Sequence, residues 1–166
     1  MNMKKLLFYF FYIIFSIDLF ASEYLPKIFI GETEVCLGMT KKEIVYNFGE
    51  PDSITIDLVS VNDEYSSVKM DYSKELFFYY NKGDEEIHTI ITKRDFFLFL
   101  DTGNVVSRET SIKDLRQIFS DIQQISENIY VINFQDNKRT IITDDIYFYF
   151  GLEGKIEQII VTNDYY

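Results

Sequence analysis

Two stretches of this chain, "MTKKEIVYNFG" at 39–49 and "TSIKDLRQIFS" at 110–120, read as one pattern written twice. Thr40 falls on Ser111, Glu43 on Asp114, Ile44 on Leu115 and Phe48 on Phe119, all at an offset of 71 residues. Further on, "LFFYYNKG" (76–83) matches "IYFYFGLEG" (146–154), and "IHTII" (87–91) matches "IEQII" (156–160). A pattern recurring in the same order at a nearly fixed spacing is the mark of a repeated structural unit. The chain is therefore read as a duplication, with units at 22–93 and 94–166.

Each copy opens on a helix start. Thr40-x-x-Glu43 has the form of a capping box, in which the threonine oxygen takes a free amide of the first turn and the glutamate reaches back to the cap. Met39 is placed to staple onto Ile44, and Gly49 with Pro51 supplies a stop. Ser111-x-x-Asp114 repeats the start without the stop, so the second helix is expected to run through Ile122 towards Ile125. The rest reads as strands: 53–61, 67–72, 75–80 and 86–93 in the first unit, and 128–134, 139–143, 145–150 and 155–161 in the second. Short polar turns such as Asn81-Lys82-Gly83-Asp84 point to hairpins between antiparallel neighbours. The expected fold class is α+β, two tandem repeats, each a short helix packed on a small antiparallel β-meander in two layers.

Residues 1–21 look like a secretory signal, with Lys4 and Lys5, an apolar run from Leu6 to Ile17, and a small residue at Ala21. The run is short for a membrane span, which needs about 20 apolar residues. An uncleaved anchor is the rival reading; export with cleavage after Ala21 is the favoured one, giving a periplasmic or secreted protein without stable membrane insertion. Removing that segment takes away two lysines and one aspartate, moving the net charge from −11 to −12. Such acidity repels phosphate backbones, so nucleic acid is not expected as a partner, whereas a basic protein would suit. Cys36 is the only cysteine, so no disulfide can form within the chain, and burial as a small apolar group is its expected role.

The stretch Gly38-Met39-Thr40, Glu43-Ile44, Phe48-Gly49 and Pro51 resembles the SmpA/OmlA (BamE-like) module of bacterial envelope proteins. Two such units in tandem are similar in plan to the β-lactamase inhibitory protein. The resemblance implies an envelope or secreted protein that works by binding other proteins. The lipid-bearing cysteine usual in BamE-like members is missing, and so are the disulfides of the inhibitory protein. No functional residue carries over from either.

Catalytic signals are weak. His88 is the sole histidine, so it has no second histidine for a zinc site, and no nucleophile motif accompanies it. The acidic pairs Asp144-Asp145 and Asp84-Glu85-Glu86 lie at turns, where carboxylates are usually solvated, and calcium there is an outside reading. No catalytic residue, cofactor or metal site is expected. The leading reading is a non-catalytic protein-binding module, possible roles being assembly factor or inhibitor, and the alternative is an envelope hydrolase using dispersed carboxylates. The aromatic strands are more telling, because "LFFYY" and "IYFYF" carry large residues on both faces, whereas a half-buried strand alternates. If the helices cover one face, Phe77, Tyr79, Tyr147 and Tyr149 lie on the other as a tyrosine-rich contact patch. The competing reading buries them within the monomer.

Overall fold

The computed structural model describes residues 27–57, 66–100, 102–135 and 143–163. The signal-like residues 1–21 and the expected strand residues 58–61 and 139–142 lie outside them. The elements run β1 (Lys27–Ile30), β2 (Thr33–Val35), α1 (Lys41–Phe48), β3 (Ser53–Asp57), β4 (Ser67–Tyr72), β5 (Leu76–Asn81) and β6 (Thr89–Thr92). They continue β7 (Phe96–Phe99), β8 (Val105–Ser107), α2 (Ile112–Ile118), β9 (Gln123–Ser126), β10 (Ile129–Gln135), β11 (Thr143–Phe150) and β12 (Ile156–Thr162). The order strand, strand, helix, four strands thus runs through the described chain twice.

The strands form two sheets. Eight line up as β3-β4-β5-β6-β12-β11-β10-β9, and four as β2-β1-β7-β8. Every pairing is antiparallel. The large sheet is joined at its middle by β6 and β12, with Ile91 opposite Ile160. The small one is joined by β1 and β7, with Phe29 opposite Phe97.

This corrects the expected α+β fold class. About half of the described residues are in strands and the two helices are short, so the protein is mostly β, built on two antiparallel sheets rather than on helix-plus-meander repeats. The physical reason is coverage. Eight strands about 4.8 Å apart span roughly 34 Å, whereas each helix, with side chains, is only about 10–12 Å across. Two helices leave much of one sheet face bare, and the four-stranded sheet contributes the rest of the cover. Its strands come from "KIFI", "TEV", "FFLF" and "VVS", which carry the alternating burial of half-buried strands.

One core lies between the layers. Phe78 and Phe148 from the large sheet, Ile44 and Leu115 from the helices, and Ile28, Phe96, Leu98 and Val106 from the small sheet are all at most 2% exposed and belong to a single apolar cluster. Phe48 packs on Phe78 and Phe119 on Phe148, so each helix end meets the aromatic strand of its own half.

The first helix is capped as its sequence indicates. The Glu43 amide donates to Thr40 Oγ1 at 3.3 Å, and the Thr40 amide donates to Glu43 Oε2 at 2.8 Å. Gly49 ends it with φ +81°, ψ −170°, a conformation open only to glycine, and its amide donates to the Val45 carbonyl. The Tyr72 hydroxyl donates to the Gly49 carbonyl at 3.0 Å. Burial first, then the carboxylates of Glu50 and Asp52, push that phenol up to about 12. The second helix departs from expectation. It stops at Ile118, because Phe119 takes extended angles (φ −118°, ψ 107°), and Ile125 lies in strand β9. Cys36, expected to be buried, is exposed.

Candidate functional site

Among the described residues, the helices and the small sheet occupy one face of the eight-stranded sheet, and the other face, on which Val131, Thr89 and Thr162 are buried, is the candidate surface. Which side chains line it follows from the register, since directly opposed residues in antiparallel strands share a face. Phe77 opposes Ile91, Ile91 opposes Ile160, Ile160 opposes Tyr147, and Tyr147 opposes Val131. These five residues make one transverse row across β5, β6, β12, β11 and β10. A second row runs Tyr79, Thr89, Thr162, Asp145, Asn133, and a third runs Gln158, Tyr149, Ile129.

All four aromatic residues picked out from the sequence therefore lie on this face: Phe77 and Tyr79 on β5, and Tyr147 and Tyr149 on β11. None belongs to the core cluster, and each is half-buried rather than fully exposed. The alternation behind this is visible in β5, where fully buried Leu76 and Phe78 alternate with half-buried Phe77 and Tyr79.

The face is chemically uneven. On the first half, the Lys69 ammonium sits 5.5 Å from the Phe77 ring centroid, a cation–π contact. On the second half, Asp145 gathers two donors, Asn133 Nδ2 at 2.6 Å and the Tyr147 hydroxyl at 3.3 Å. Burial, and then the Asp145 carboxylate beside it, raises the Tyr147 phenol above its ordinary value of 10.0, so this tyrosine stays neutral at physiological pH. At the β6–β12 seam, Thr89 Oγ1 and Thr162 Oγ1 stand 2.6 Å apart, and His88 Nδ1 lies 2.9 Å from Thr89 Oγ1. His88 is thus tied into a hydroxyl pair that stitches the middle of the sheet. Sequence reasoning missed this pair, since two threonines 73 residues apart carry no local signal.

At the Tyr149 end of this face lies a groove of about 530 Å³, flanked by Lys93, Glu127 and Glu157. The turn carboxylates at 84–86 have structural company: Asp84 accepts from Asn81 Nδ2, and Glu85 pairs with Lys41 at 3.3 Å. Among the described residues, no group of three His, Cys, Asp or Glu side chains could hold a metal ion, and no helix is long and apolar enough to cross a membrane. The chain matches no protein-family model, no curated protein and no solved structure.

Proposed function

We propose that this chain is an exported, non-catalytic protein-binding module that meets its partner through the outer face of the eight-stranded sheet. The observation that carries the reading is the half-buried row Phe77, Ile91, Ile160, Tyr147, which ends on buried Val131, an apolar line about 19 Å long at the usual strand spacing, drawn from both halves of the chain. Half-buried tyrosines bordered by Lys69, Asp145 and Asn133 give an apolar centre with a polar margin, the anatomy of a specific protein contact. An envelope setting is supported by the make-up of residues 1–21 and by the resemblance of the Gly38–Pro51 stretch to BamE-like modules. The partner is another envelope or secreted protein.

The test is capture from an envelope extract by the immobilised chain beginning at Ser22, beside the double variant Tyr147→Thr with Tyr149→Thr. Threonine keeps the strand preference of the position while removing the aromatic contact. Aromatic anchors at the centre of an interface are worth about 2 kcal/mol or more each, so capture should fall by more than about tenfold while the thermal midpoint stays near that of the parent. Undiminished capture by a folded double variant, or loss of the fold itself, would sink the reading.

A further inference from the structure

We infer that the groove at the Tyr149 end of this face seats an arginine side chain projecting from the partner protein, an assignment that rests on the protein-binding reading above. Its floor is set by the register: Tyr149 is directly opposite Ile129 on β10 and Gln158 on β12, so an aromatic ring, a branched apolar chain and an amide lie side by side. Its rim carries two carboxylates, Glu127 from the β9–β10 turn and Glu157 from the start of β12, against the single ammonium of Lys93. The local balance is one net negative charge, within a chain of net charge −11.

Charge selects the occupant and the volume admits it. A volume of about 530 Å³ exceeds one side chain, so an arginine can enter together with part of its backbone. Its methylene stem would lie on Ile129, its guanidinium plane would stack on the Tyr149 ring, and its donors would reach the rim carboxylates. Arginine fits better than lysine because a planar, weakly hydrated fork can stack and bond to carboxylates at once. An acidic residue would meet two like charges, and a purely apolar one would leave both carboxylates unsatisfied by the ligand. Gly151 helps to place one of them: a methyl group there would overlap the Glu157 carboxylate, so the bare glycine gives that side chain room to lie against the turn.

The test needs no knowledge of the partner. The probe is the capped tripeptide acetyl-Gly-Arg-Gly-amide, titrated into isotope-labelled protein at low salt, with the norleucine analogue as the neutral control. The amide signals of Tyr149 and Gln158 should shift, and the arginine peptide should bind about fivefold more tightly than its analogue, the scale of an exposed ion pair reinforced by stacking. Glu127→Gln with Glu157→Gln should bring the arginine peptide down to the norleucine level, whereas Lys93→Gln should tighten it. That opposite movement separates a charge effect from a general loss of structure. Equal binding of the two peptides, or arginine binding indifferent to all three substitutions, overturns the assignment. Either result leaves the sheet-face reading to its own capture experiment, and failure of that experiment would not produce equal peptide binding here.

Discussion

Thr40 shows what one residue can announce without help from the rest of the chain. Its hydroxyl both accepts from the Glu43 amide and donates to Glu43 Oε2, and its own amide donates to the same carboxylate. All three bonds close within four consecutive residues, so the spacing in the sequence suffices to predict them. Replacing Thr40 by alanine should cost about 1 kcal/mol, read as a lower urea midpoint with unchanged slope. The backbone bond from Thr40, and next its hydroxyl, hold the Glu43 carboxyl below its ordinary value of 4.5. A depressed folded-state pKa gives stability that is present above the unfolded value and lost as pH falls through the folded one. The difference between parent and Glu43→Gln should accordingly be widest above pH 4.5 and should close on acidification below it, in paired urea melts. Ser111 has a shorter partner: its hydroxyl accepts from the Asp114 amide and donates to Asp114 Oδ2 at 2.7 Å.

At the level of elements, the sequence speaks clearly only where an element is long or locally capped. Strands β4, β5, β11 and β12 have six to eight residues and were legible from their composition. Strands β1, β2, β7 and β8 have three or four, too few for alternation to stand out, and their pairing is set from far away, as when Lys27 meets Phe99. Strand β9, "QQIS", is exposed throughout, so it lacks even an apolar side, and the apolar spacing of Ile122 and Ile125 suggested helix instead. The contrast within β7 offers a direct check. Leu98 is fully buried, and its change to alanine should cost about 2–5 kcal/mol through lost contact and the cavity left behind. Phe97, next to it but 46% exposed, should cost less than about 1 kcal/mol on the same change. Denaturant melts giving similar losses for both would mean that β7 does not present alternate residues to core and solvent. The candidate face was legible for a related reason. Paired aromatic runs place Phe77, Tyr79, Tyr147 and Tyr149 by alternation alone, while the groove beside Tyr149 needs a turn and a strand start that only folding brings together.

On the scale of the whole molecule, the α+β expectation failed because a layer can be completed by any element with an apolar side, and the sequence read only helices as candidates for that task. Two seams, β6 with β12 and β1 with β7, run through a single core, so the elements β1–β6 and β7–β12 share their stability. Thermal unfolding should show one transition by both aromatic absorbance and backbone dichroism, and a chain cut before Ile156 should lack it, since that cut removes the strand which buries Ile159 and Val161 and joins β6 to β11. Strand β12 is the last of the described strands to leave the ribosome, yet it occupies the middle of the eight. Until it emerges, β6 and β11 have no neighbour between them, and the sheet has two open edges where its centre should be. Its central strand follows the other eleven described strands in the chain, so the two halves of this sheet can join only after both have been made. The eight-stranded sheet therefore closes at its centre only once β12 can pair with both β6 and β11.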